Sequence, residues 1–148
     1  MTLYHWDLPQ PLAEKYSWAD EEMIEIFADY ARIVFEKLGD KVPYFITLNE
    51  PWIFAIAGFN LGVFAPFRND DTVVVYRVLH NFLKAHATVY RLYEEEFKAK
   101  FNGKIGASLE CWWTEPMDPN NPDDVKAARR AADFKVSYSP LNLSIFLF

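Results

Sequence analysis

The strongest constraint on the fold is an alternation of short apolar, β-prone segments with helical segments long enough to act as crossovers. Thr2-Leu3-Tyr4-His5-Trp6, Tyr44 to Leu48 and Ile105 to Leu109 read as strands. After the first, a loop runs from Pro9 to Ser17, and Asp20 is placed to cap a helix. In that helix Met23, Ile24, Phe27, Tyr30, Ala31, Val34 and Phe35 recur at helical spacing, and Gly39 ends it. A short helix is expected from Trp52 to Gly58, followed by a loop to Arg68. A long helix then spans roughly residues 71–100 and stops at Asn102-Gly103. Beyond the loop Thr114 to Pro122, Asp123 or Asp124 opens a last helix towards Phe134. This order is the pattern of parallel βαβ units, so the fold class is α/β with about three parallel βα units. Three strands cannot close a barrel, and their continuous apolar character calls for a cover on both faces.

Composition narrows the function classes. A chain of 148 residues is one domain at most, and 51% hydrophobic content suffices for a core. Aromatics make up 18%, and five Trp favour stacking on flat apolar faces, sugars among them. A net charge of −6, with Lys and Arg scattered rather than striped, argues against a nucleic-acid partner. Cys111 stands alone, which excludes an internal disulfide. Strand-like sequence follows Met1 directly, without the basic and apolar regions of a leader. The uncharged run from Val136 to Phe148 is too short to span a bilayer as a helix. No membrane partner, cofactor or metal is expected.

In parallel α/β architectures functional groups collect at the C-terminal ends of the strands. Here those ends carry His5 and Trp6, then Asn49 and Glu50, then Glu110, Trp112 and Trp113. Pro51 forbids continuation of the second strand, so Glu50 sits at its edge beside the Asn49 amide and the Trp52 indole. Aromatic shielding of a carboxyl group favours its neutral form, which suits a proton donor. The convergence points to a polar, ring-shaped ligand. Trp112 and Trp113 either line the mouth of a pocket or cover the rim. His80 and His86 are expected to pack on the inner face of the long helix, with Tyr90, Tyr93 and Phe97 in the core and Glu94-Glu95-Glu96 on a solvated face.

Tyr4-His5-Trp6-Asp7-Leu8-Pro9-Gln10, Thr47-Leu48-Asn49-Glu50-Pro51-Trp52, Gly62-Val63-Phe64-Ala65-Pro66 and His80-Asn81-Phe82-Leu83-Lys84-Ala85-His86-Ala87 occur in this order. This series resembles glycoside hydrolase family 1, the β-glucosidase family, and its insect members most closely. The resemblance covers about residues 2–135. It implies a partial TIM (β/α)8 barrel, the third to fifth βα units, in residues 1–135. It also implies that Glu50 is the general acid/base, that Asn49 hydrogen-bonds the sugar 2-hydroxyl, and that His5 holds the 3-hydroxyl region with Trp6 beside it. The implied partner is a β-linked glucoside or related sugar. The chemistry suits the residue types. A retaining glycosidase needs one acid to protonate the departing oxygen and a second carboxylate roughly 5 Å away to attack the anomeric carbon.

That second carboxylate is missing. The family's nucleophile lies in a Thr-Glu-Asn-Gly-like motif, which this sequence does not contain. Glu110 lies on the adjacent strand rather than across a barrel, and is not expected to replace it. The chain by itself is therefore expected to be inactive in two-step displacement. Two readings follow: a partial record of a retaining β-glucoside hydrolase, or a non-catalytic remnant that binds sugar or a partner, itself included, through open sheet edges. Met1 resembles an internal methionine of the family, and residues 136–148 form a divergent apolar tail that resembles nothing in it. Intact family members are often secreted.

Overall fold

A computed structural model describes residues 1–110 and 113–138, with side chains to residue 133. Of the tail expected over residues 136–148, the first three residues continue the last helix, and residues 139–148 lie outside the described residues, as does the proposed role of Trp112. The order of elements is β1 (Thr2–Tyr4), α1 (Gln10–Ala13), α2 (Glu22–Leu38), β2 (Tyr44–Asn49), α3 (Pro51–Ala55), a π-helical turn (Ile56–Asn60), α4 (Thr72–Glu96), α5 (Lys98–Phe101), β3 (Lys104–Ser108) and α6 (Pro122–Tyr138). The strands form one parallel sheet in the order β1-β2-β3. Thr2 pairs with Ile46 and Tyr4 with Leu48, while Tyr44 pairs with Lys104. An irregularity between Ile46 and Asn49 precedes the Asn49–Ser108 pair. Among the described residues no helix is long and apolar enough to cross a membrane.

Helix α2 buries Met23, Ile24, Phe27, Ala31, Val34 and Phe35 as its periodicity predicts, although Tyr30 stays exposed. Its start differs from expectation. The Asp20 carboxylate turns back to accept from the Ser17 amide at 2.7 Å and from its hydroxyl at 3.0 Å, so it caps no helical N–H. Gly39 does end the helix, but at φ −60°, without the left-handed turn that usually calls for glycine. The reason for glycine is space: a Cβ there would lie 2.3 Å from the Phe101 ring. Asp71 caps α4 by accepting from the Val74 amide at 3.0 Å. The expected single helix over residues 71–100 is broken at Phe97, and Asn102 terminates α5 in the left-handed region at φ 51°. At α6 the cap is Asn121, whose side chain accepts from the Asp123 amide at 3.0 Å, with Pro122 as the first helical residue.

Aromatic residues hold the layers together in two groups. Phe35 packs against Phe45 at 5.0 Å and Tyr93 at 5.0 Å, joining α2, β2 and α4. Tyr4, Trp18, Phe54 and Phe82 form a second group, with Trp18 and Phe82 centroids 4.5 Å apart and Tyr4 and Trp18 5.1 Å apart. This group ties the end of β1 to α3 and α4, below the strand termini that carry the candidate site. The high aromatic content is therefore used largely for internal packing, with centroid spacings in the favourable range. Of the tryptophans expected to stack on sugar, Trp18 is buried in the core.

Candidate functional site

The site is built where β1 and β2 end side by side. Backbone pairing continues past β2, because the Glu50 amide donates to the Ser108 carbonyl at 2.7 Å. Glu50 then adopts φ 46° and ψ 60°, the left-handed region, and the chain turns directly into α3 at Pro51. A non-glycine residue held there costs on the order of 1–3 kcal/mol, and such strain clusters at functional positions. The Glu50 side chain caps no amide of α3 and is half-buried, so its carboxyl remains available to a ligand.

Asn49 and His5 meet directly. The Asn49 Nδ2 lies 3.0 Å from His5 Nε2. The amide nitrogen can only donate, so His5 accepts at Nε2 and carries its proton on Nδ1. His5 is exposed and Asn49 half-buried. Trp6 has φ 75°, also left-handed, and its Nε1–H donates to the Asn49 carbonyl at 2.8 Å. Its ring stacks on Phe64 at 5.5 Å and stands edge-on to His5 at 5.7 Å. The structure thus brings His5, Trp6, Asn49 and Glu50 to one place. The third strand adds less: Trp113 is 85% exposed, and its indole donates to Glu115 at 3.0 Å. Glu110 is half-buried, two residues beyond the Ser108 that pairs with Asn49. Among the described residues no three His, Cys, Asp or Glu side chains gather as a metal site requires.

Behind the site, Thr47 is fully buried and its Oγ1 lies 2.6 Å from His86 Nδ1 and 3.2 Å from the Gly106 carbonyl. The hydroxyl has one proton, which it donates to Gly106, and so it accepts from His86 Nδ1–H. Burial lowers the His86 pKa to about 4, keeping the imidazole neutral. Burial likewise raises that of Tyr4. His80, expected to pack beside His86, is exposed instead. Six residues at 3.6 per turn separate the two side chains by about 120° around the helix, so both cannot face the sheet.

A cavity of about 580 Å³ opens next to the site, lined in part by Trp6, Gln10, Trp18, Phe59 and Arg68. Neither Glu50, Asn49 nor His5 lines it. The candidate site is the strand-end cluster, where Glu50, Asn49 and His5 meet; the cavity, which also has Asp7 in its wall, adjoins it through Trp6. Sequence reasoning did not anticipate Phe64 as the partner of the Trp6 ring, nor Thr47 and His86 as a buried link. The threonine in an otherwise apolar strand was the available signal for the latter.

The family model for Glycosyl hydrolase family 1 matches residues 1–140. The chain belongs to glycosyl hydrolase family 1. It is 43% identical over 135 residues to Lactase/phlorizin hydrolase of Homo sapiens, covering 90% of this chain and 7% of that protein. Among solved structures it is similar to the rice Os3BGlu6 beta-glucosidase, with 40% identity and a TM-score of 0.85 over 91% of this chain and 30% of that one. An E-to-Q mutant of that rice enzyme has been solved in a covalent complex with Glc. Aphid myrosinase is similar as well, with 40% identity and a TM-score of 0.85 over 90% of this chain and 29% of that one. The three parallel βα units are therefore part of a TIM barrel. This member of the family spans less than a third of the length of the beta-glucosidases it matches.

Proposed function

We propose that Glu50 is the general acid/base of a retaining β-glucoside hydrolase, and that His5, Trp6 and Asn49 form the wall that holds the non-reducing sugar. The observation that carries this reading is the meeting of four such residues at two adjacent strand ends, with Asn49 Nδ2 3.0 Å from His5 Nε2 and Glu50 next in the chain. In the forward step Glu50 donates its proton to the departing glycosidic oxygen while an attacking carboxylate, supplied from outside these 148 residues, bonds to the anomeric carbon. Glu50, now a carboxylate, takes a proton from the water that releases the sugar in the second step. The Asn49 amide donates to the sugar 2-hydroxyl, where hydrogen bonds strengthen as oxocarbenium character grows. His5 Nδ1–H and the Trp6 ring border the sugar beside it. The covalent glucose complex of the rice relative supports the two-step course.

The test is a segment exchange. Residues 1–135 replace the matching segment of the rice Os3BGlu6 beta-glucosidase, and the chimera is assayed with two β-glucosides. In the chimera, Glu50→Gln should lower kcat/KM by about 10²–10⁴ for an alkyl glucoside, whose leaving group needs a proton. The loss should be far smaller for a dinitrophenyl glucoside, whose leaving group does not. Equal losses on both substrates, or none, would overturn the assignment.

A second reading draws on the sheet, in which, among the described residues, β1 and β3 are the edge strands. Unpaired strand edges are templates for association. In this reading the 148-residue chain is a non-catalytic binder of sugar or of another copy of itself. It is supported by retained binding of methyl β-glucoside without turnover, and refuted by turnover that Glu50→Gln abolishes.

A further inference from the structure

We infer that Trp6 is a positioning residue for Glu50 and acts through the peptide bond between Asn49 and Glu50. That peptide is gripped from both sides. Its carbonyl, on Asn49, accepts from Trp6 Nε1–H at 2.8 Å, and its N–H, on Glu50, donates to the Ser108 carbonyl at 2.7 Å. In a parallel ladder the Asn49 carbonyl would bond a backbone amide of the neighbouring strand. β1 has already ended at Tyr4, so no rung of its backbone reaches that far. The indole supplies the missing donor. With both ends of the peptide plane held, the rotation that sets Glu50 at φ 46° starts from a fixed orientation.

The indole is itself secured. Trp6 departs from β1 at φ 75°, which swings its side chain across the end of the sheet towards β2. Phe64 stacks on its ring, with 29° between the planes, and His5 stands against it at 79°. An indole has one hydrogen-bond donor, and here it is committed to the protein. Trp6 therefore contributes its ring to the pocket wall and its N–H to the placement of the acid. A phenylalanine at this position would keep the first contribution and lose the second.

The importance of this placement rests on the acid role proposed for Glu50, but its test needs neither sugar nor turnover. In the 148-residue chain labelled with nitrogen-15 and carbon-13, a scalar coupling across the hydrogen bond should connect Trp6 Nε1 to the Asn49 carbonyl carbon. The Trp6 indole proton should exchange with solvent at least about tenfold more slowly than that of the exposed Trp113, which serves as the internal reference. In Trp6→Phe, exchange of the Glu50 amide should rise about tenfold, as expected for loss of one hydrogen bond. The amides of Phe45 and Thr47 should change by less than about twofold, a pattern that general loosening would not give. Exchange of the Trp6 indole as fast as that of Trp113 would overturn the inference. So would an unchanged Glu50 amide in a folded Trp6→Phe chain. If the variant does not fold, the coupling and indole exchange in the unsubstituted chain decide the matter.

Discussion

The buried His86 makes the fold sensitive to acid in a calculable way. Its imidazole is 1% exposed and donates to Thr47, and burial brings its pKa to about 4. In the unfolded chain a histidine titrates near about 6.5. Between these values the unfolded state binds a proton that the folded state excludes, so stability rises with pH across the window and falls on acidification from about 6.5 towards 4. The full window corresponds to about 3 kcal/mol, at about 1.4 kcal/mol per pH unit. Between pH 7 and pH 5 the loss is about 2 kcal/mol. With a urea dependence of about 2 kcal/mol per molar, the unfolding midpoint should move by about 1 M. Because carboxylates also titrate on the acid side, the quantity to compare is the shift in the parent chain against that in His86→Gln. Glutamine stays neutral and can still donate to Thr47. Urea titrations followed by tryptophan fluorescence at pH 7 and pH 5 should show a midpoint shift about 1 M larger in the parent. Equal shifts in the two chains would show that His86 takes up its proton while folded, and the argument from burial would fail.

Two further substitutions test the backbone geometry. A Cβ at Gly103 would lie 2.4 Å from the Tyr93 hydroxyl, which now accepts from the Gly103 amide at 2.8 Å. Gly103→Ala should cost about 2 kcal/mol and lower the calorimetric melting temperature by roughly 5 °C; an unchanged melting temperature would contradict the close approach. Glu50→Gly should relieve the left-handed strain and raise the urea midpoint, by an amount equivalent to about 0.5–1 kcal/mol, while removing the proposed acid. A lowered midpoint would mean that the Glu50 side chain supports the fold.

The parts of the structure that sequence reasoning reached are those fixed by burial alone. The strands leave apolar runs, and the three were located to within two residues at each end, although one face of β2 stays partly open, with Tyr44 exposed and Ile46 half-buried. Helices α2 and α4 left 3.6-residue periodicities for the same reason. What escaped was local competition for hydrogen bonds and space. Asp20 has the side chain of a cap, yet Ser17 offers its carboxylate both an amide and a hydroxyl, and the turn before the helix wins. The turn at Gln10–Ala13 passed for a loop, although Pro11 in its first positions was a usable signal. The π-helical turn at Ile56–Asn60 left no periodic trace. Its Gly58 is explained by the Ala65 carbonyl, 2.7 Å from where a Cβ would lie, a contact set by the folding back of the loop that follows. At the candidate site, motif order singled out His5, Trp6, Asn49 and Glu50, which lie together in the fold, but not the commitment of the Trp6 donor. That depends on β1 stopping at Tyr4, a boundary that propensity does not resolve.

The Glu50 amide is fastened to a main-chain oxygen of residue 108, not to its side chain. Every amino acid carries that oxygen, so a substitution at position 108 can change the side chain there without removing the acceptor that fastens the Glu50 amide. The side chain carried at the end of β3 is thereby uncoupled from the anchoring of the acid proposed at Glu50.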